Sequence, residues 1–328
     1  MKILFIGGTG NISAAVSQQL VALGHELWLL NRTGAAGIQG AHSLIGDIHS
    51  PASLAQLHRH HWDVVVNWIA FNPADIQRDI ALFRDKTQQY VFISSASCYQ
   101  NPGPTALITE RTPLANPYWE YSRNKIAAEQ LLMQSVKEFG FPATIVRPSH
   151  TYSRVIPLTI GGWTEYTCVA RMKKGLPIVV QGDGTSLWTL THARDFAVGF
   201  IGLLGRSEAI GEDFHITSDE FLSWNEIYQL TAAAVGVQAD IVHVTSERIC
   251  QFDADYTGTL LGDKSVSALF DNSKIKRLVP HFAAQTPFKD GIKETLAWFE
   301  AEPSRQIIDP ETDALIERLV ADARRPLV

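Results

Sequence analysis

The segment Gly7-Gly8-Thr9-Gly10-Asn11-Ile12-Ser13 constrains this chain more than any other. It follows a short apolar run, Ile3 to Ile6, that reads as a buried strand. It opens onto Asn11 to Leu23, where Ile12, Ala15, Val16, Leu20 and Leu23 recur at helical spacing before Gly24 closes the helix. A strand, a glycine turn and a helix in that order bring free N–H groups and the positive end of a helix dipole to one point, where a pyrophosphate can approach the backbone. Gly7, Gly10, Asn11 and Ile12 are therefore the candidates for holding the phosphates of a dinucleotide.

The alternation continues. Glu26 to Leu30, Ser43 to Ile45, Val64 to Val66, Tyr90 to Ile93 and Ala143 to Val146 read as strands, with helical segments between most of them. This predicts an α/β fold, a doubly wound parallel Rossmann sheet with helices on both faces and a smaller C-terminal substrate lobe. Beyond about Pro148 the pattern changes to loops rich in Gly, Pro and Thr, with helices near Thr164 to Lys174, His192 to Leu204, Trp224 to Val235 and Pro287 to Phe299. The 328 residues divide into a dinucleotide-binding core, 1–150, and 151–328, mainly a substrate-binding lobe with some segments returning to the core. With no internal repeat and no Pro/Ser linker, the two parts are expected to share an interface. The tail from Glu302 onward is polar and reads as loosely docked.

A net charge of -6 offers no basic surface for nucleic acid. Cys98, Cys168 and Cys250 are odd in number and far apart, which suits neither a disulfide framework nor a zinc site and points to a reducing, cytoplasmic setting. His58, His60 and His61 have no Cys or carboxylate cluster at ligand spacing, so no metal is expected. The opening MKILFIGGTG is too short for a signal segment, and no run approaches the roughly 18 apolar residues of a membrane span.

Tyr121 and Lys125 stand one helical turn apart on one face. An ammonium beside a phenol favours the phenolate, which can exchange a proton with a hydroxyl or carbonyl near neutral pH. Ser95 ends the fifth strand, on the edge where such sheets open into a ligand crevice. At the end of the second strand stand Asn31 and Arg32, with no acid for a ribose 2′-hydroxyl. Arg32 suits a 2′-phosphate, the alternative being a guanidinium that stacks on adenine or faces solvent. Asp47-Ile48, after the third strand, can meet the adenine amino group.

With these motifs the sequence resembles the extended short-chain dehydrogenase/reductase family, the NAD-dependent epimerase/dehydratase group. The resemblance runs over roughly residues 1 to 300, through Gly46-Asp47-Ile48, Val65-Val66-Asn67-Trp68-Ile69-Ala70, Ser94 to Tyr99, Tyr121 to Lys125, Arg147-Pro148, Gly182-Asp183-Gly184-Thr185 and Asp271 to Lys274. It implies that Tyr121 is the general acid/base, that Lys125 lowers its pKa and holds the nicotinamide ribose, and that Ser95 hydrogen-bonds the reacting oxygen. It implies further that Asp47, Ile48 and Ala70 belong to the cofactor site, with Pro148 and Ser149 beside the nicotinamide of NAD or NADP, and that the protein is a homodimer. Three departures stand out. Ser13 takes the place of the third glycine. His150 replaces the Asn that nucleotide-sugar enzymes usually carry three residues after the Arg of Arg-Pro. Trp188 aligns with their pyrophosphate-binding Arg, and an indole does not replace a charge-assisted hydrogen bond.

The expected function is that of an NAD(P)-dependent sugar epimerase, dehydratase or dehydrogenase acting on a carbohydrate-like small molecule without the usual nucleoside diphosphate contacts. Trp68, Phe71, Trp119, Trp163 and Trp188 are the aromatic candidates around the crevice, and Phe71, His150 and Trp188 the substrate candidates. An NADPH-dependent carbonyl reductase is the enzyme alternative, and a redox-sensing or RNA-associated binding module the non-enzyme one.

Overall fold

In β1 (Lys2–Ile6), Ile3 and Phe5 point into one hydrophobic cluster, and Leu4 and Ile6 into another on the opposite face. A strand buried on both sides belongs in the middle of a parallel sheet covered by helices. The computed structural model describes residues 1–33 and 37–325, and β1 is an interior strand of its main sheet. The other strands are β2 (Glu26–Asn31), β3 (His42–Ile45), β4 (Trp62–Asn67), β5 (Thr87–Ile93), β6 (Ala143–Pro148) and β7 (Asp213–Ile216). Their spatial order is β7-β6-β5-β4-β1-β2-β3, all neighbours parallel. Strand order reverses between β1 and β4, and there the carboxyl ends leave a crevice for ligands.

Six of these strands coincide with the runs read from the sequence. β7 does not, because Asp213-Phe214-His215-Ile216 has only two apolar residues and becomes a strand through pairing with β6. One face of the sheet is covered by α1 (Ser13–Ala22) and the helix Ala193–Ile201 through Val16, Leu20, Phe196 and Phe200. The other is covered by α2 (Pro51–Leu57), α3 (Pro73–Phe83) and α4 (Glu120–Phe139) through Leu57, Ile76, Phe83, Ala128 and Leu132. Asn72 caps α3 by accepting from the Asp75 N–H, with Pro73 in the first turn.

Arg147 on β6 ties these layers together behind the crevice. Its guanidinium donates to both carboxylate oxygens of Glu129 on α4, to Asp213 on β7 and to the Tyr99 hydroxyl.

The second half has its own core around Trp188, Trp224, Tyr228, Phe288 and Phe299. Its helices Thr167–Lys173, Ala193–Ile201, Trp224–Ala234 and Phe288–Glu300 overlap the segments read from the sequence, with ends that differ by up to three residues. The tail is different. Pro310–Ala323 is a 14-residue helix whose Leu315, Ile316 and Leu319 are buried against Val179, Val244 and Leu260. Arg171 clasps it through Asp313 and Glu317, each at 2.6 Å. Its polar average hides a narrow apolar stripe, which is all that a surface helix needs for docking. Among the described residues no helix is long and apolar enough to cross a membrane.

Candidate active site

The glycine turn lies where β1 meets α1. Gly7 and Gly8 have φ of 91° and 112°, and a Cβ on Gly8 would sit 2.8 Å from Leu29 Cδ2, so a side chain there is excluded by both strain and space. Ser13, at the third-glycine position, is buried and accepts the Gly10 N–H at 2.9 Å. Serine thus fits the helix–strand contact and stiffens the turn. The N–H groups of Asn11 and Ile12 find no acceptor among the described residues, and the first turn of α1 holds no acid. An open helix N-terminus with this cradle suits the diphosphate of a dinucleotide. The Asn11 side chain is already engaged: its amide donates to Thr151 O at 2.8 Å and accepts from Arg154 N at 2.9 Å. It clamps the loop after β6, leaving only its backbone for a ligand.

The outer candidates are placed unevenly. Asn31, with its amide nitrogen turned to donate, reaches the carbonyls of Leu30 and Gly7 at 3.1 and 3.2 Å. Arg32 is exposed at the end of β2. Asp47 is exposed and accepts the His49 N–H at 2.9 Å. The Ile48 side chain lies in the core with Leu30, Leu44 and Leu57, so the structure assigns it to packing and leaves only its backbone for adenine.

Tyr121 lies in the first turn of α4, with Lys125 one turn further on. Lys125 donates to Ala70 O at 2.6 Å and to Ile93 O at 2.7 Å, which gives Ala70 a role through its carbonyl. The ammonium also lies 4.7 Å from the Phe71 ring centre and 5.6 Å from that of Tyr121. Burial lowers Lys125 to about 8. Burial raises the Tyr121 phenol to about 12, with a hydrogen bond to Ser95 opposing the rise. The protein alone therefore does not show the lowered phenol that the Tyr/Lys spacing suggests, because the ammonium is turned onto two carbonyls. The Ser95 hydroxyl is 2.8 Å from that of Ser97, which in turn is 2.7 Å from that of Ser122.

A cavity of about 670 Å³ opens beside these groups and brings together Ser95, Tyr121, Pro148, Ser149, His150 and Trp188, with Ile12 of the cradle at its edge. Trp119 and Trp163 also line it. Trp68 does not: it packs on Phe5 and Phe200. Phe71 is half exposed, its ring 6.4 Å from that of Tyr121 but outside the cavity wall. His150 is 8% exposed and Trp188 2%. Both His150 nitrogens and the Trp188 indole N–H are buried with no partner. Burial and, secondarily, Lys264 push the imidazole well below its usual value, so it is neutral near pH 7.

Among the described residues no arginine lines this cavity. Asp253, Asp255, Tyr256, Asp263 and Lys264 on its far wall were not singled out from the sequence. They lie more than 130 residues beyond Tyr121, in no recognisable motif. Cys98 is buried, and burial raises its thiol to about 12, which fits a packing role. His192 caps the helix Ala193–Ile201 and Asp195 accepts the Thr286 N–H, so both are in structural use.

Known proteins are similar to this chain. A family model described as the NAD dependent epimerase/dehydratase family matches residues 3–217. The 2'-dehydrokanamycin reductase of Streptomyces kanamyceticus is 26% identical over 86% of this chain and 80% of its own length. A chloroplast stem-loop binding protein of 41 kDa from Arabidopsis thaliana is 27% identical over 74% of this chain, a match that spans 65% of that protein. Among solved structures, the UDP-glucuronic acid 4-epimerase from Bacillus cereus in complex with NAD has a TM-score of 0.73 at 19% identity, covering 93% of this chain and all of that one.

Proposed function

Because this chain belongs to the NAD-dependent epimerase/dehydratase family, we propose that it interconverts a secondary alcohol and a ketone on a sugar-like molecule, using Tyr121 as acid/base. The observation that carries this reading is the convergence of the Tyr121 phenol and the Ser95 hydroxyl on one cavity wall that also reaches Ile12 of the glycine cradle. Gly7, Gly10 and the open N–H groups of Asn11 and Ile12 hold the diphosphate, with Pro148 and Ser149 beside the nicotinamide end. When bound, the nicotinamide dinucleotide supplies the hydride acceptor or donor.

The chain's own residues manage the proton. Ser95 donates a hydrogen bond to the reacting oxygen, and Tyr121 gives a proton to a ketone oxygen or takes one from a hydroxyl. Lys125 remains an ammonium below about pH 8 and favours negative charge forming on the phenol 5.6 Å away. A phenol held at about 12 is fully protonated at neutral pH and so poised to donate, which favours ketone reduction. The absence of arginine from the cavity wall supports a sugar or polyol without a nucleoside diphosphate.

Two measurements test the reading. Purified protein is expected to bind NADH or NADPH and to consume it with a keto-sugar. Tyr121→Phe is expected to lower kcat by roughly 10²–10⁴-fold with nucleotide affinity nearly unchanged. Undiminished turnover in that variant would defeat the mechanism. A chain that binds RNA but neither nucleotide would favour the binding-module alternative suggested by the Arabidopsis relative's name.

A further inference from the structure

The cavity continues past Ser95 and Tyr121. Trp163 and Asp253 line both it and a second cleft of about 770 Å³ between the 162–165 segment and the helix Pro310–Ala323. The Trp163 backbone has a φ of 61°, a left-handed conformation costly for a bulky residue. A reciprocal pair of backbone hydrogen bonds with Ile156 holds it there, at 2.6 and 2.8 Å. The result is a half-exposed indole that lines two adjacent spaces.

Charge is distributed unevenly around them. Asp253, Asp255 and Asp263 line the cavity and Glu165, Asp309 and Glu311 the outer cleft, six carboxylates in all. Among the described residues two cations face them, Lys264 and Arg318, and Lys264 is already paired with Asp263 at 2.9 Å. The acids alone would be a solvated surface. The second observation comes from inside the cavity, where His150, Trp188 and Thr159 present buried polar atoms with no partner. Such atoms cost stability unless a ligand or water completes them.

Resting on the oxidoreductase reading above, we propose that the site takes an extended amine-bearing glycoside. One ring enters the inner cavity to be oxidised or reduced, and an aminated ring passes over Trp163 into the outer cleft. Ammonium groups meet the carboxylates and the indole face. The neutral imidazole of His150 accepts from one ligand donor, and its remaining N–H donates to a hydroxyl. A diphosphate, by contrast, meets an inner cavity lined by carboxylates and, among the described residues, by no arginine, so nucleotide-activated sugars are disfavoured.

The test is calorimetric titration of the full chain saturated with its nicotinamide nucleotide, using kanamycin, maltotriose and UDP-glucose as cationic, neutral and anionic probes. Kanamycin is expected to bind at least about 10-fold more tightly than maltotriose, with affinity falling as salt screens the carboxylates. The double variant D253N/E311Q is expected to weaken kanamycin by roughly 5–10-fold and to leave nucleotide affinity unchanged. Equal or absent kanamycin binding, tighter UDP-glucose binding, or an unaffected double variant overturns the proposal. If nucleotide binds and Tyr121→Phe is inactive while kanamycin shows no advantage, only this inference fails. If no nucleotide binds, the oxidoreductase reading fails instead.

Discussion

Around the glycine turn Ser13 takes the Gly10 N–H, Ser17 donates to Gly8 O, and Asn11 spans to Thr151 and Arg154. Across the crevice the imidazole of His150, the indole N–H of Trp188 and the hydroxyl of Thr159 are buried with nothing to bond. The first region is completed by its own chain and offers the ligand backbone. The second keeps side-chain bonding capacity in reserve, at a cost of about 1–3 kcal/mol for each unsatisfied group. The partnered groups hold the fold together, and the unpartnered ones on the cavity wall are available to a ligand.

This contrast can be broken most severely at Arg147, the best-satisfied polar group behind the site. Arg147→Met leaves Glu129 buried without its partner and is expected to cost about 3–5 kcal/mol in chemical denaturation; a change under about 1 kcal/mol would mean that water replaces the pair. Lys125 follows, and its sign is defined. Its folded value of about 8 lies below the ordinary lysine value of 10.5, so between those pH values the unfolded chain binds more protons and stability rises with pH, by a few kcal/mol. The stability of wild type relative to Lys125→Met is expected to improve from pH 8 to 10. A difference flat with pH would mean that the ammonium is better solvated than its burial indicates. Tyr121 is present in both proteins and cancels.

His150 is the opposite case to Arg147. His150→Leu removes unpartnered atoms and is expected to leave stability unchanged or raise it by up to about 1 kcal/mol, while raising KM roughly 10-fold. Loss of stability with KM intact would reassign His150 to packing. The smallest effect is expected at Arg32, exposed at the rim. Arg32→Ala is expected to lower NADPH affinity several-fold and leave NADH nearly untouched, and equal loss for both nucleotides would indicate stacking on adenine.

Legibility in the sequence follows how far apart the cooperating residues are. Strand β1, the glycine turn and α1 are contiguous, and Tyr121 and Lys125 are one turn apart, so pattern and spacing reveal them. β7 and the far wall of the cavity are assembled from segments more than 60 residues from the strands they complete, and no local signal announces them. The polar-looking tail conceals Leu315, Ile316 and Leu319, whose stripe has meaning only once a complementary surface exists.

By itself the sequence determined the parallel sheet, the glycine turn and the one-turn spacing of Tyr121 and Lys125, because hydrophobic period, glycine conformation and helical spacing act over short stretches of chain. Only the tertiary structure decided that Lys125 turns to the carbonyls of Ala70 and Ile93, that Ile48 packs inward, and that His150 and Trp188 share a cavity with Asp253 and Asp263. Those outcomes depend on burial and on partners brought together by folding, which no local stretch of the chain encodes.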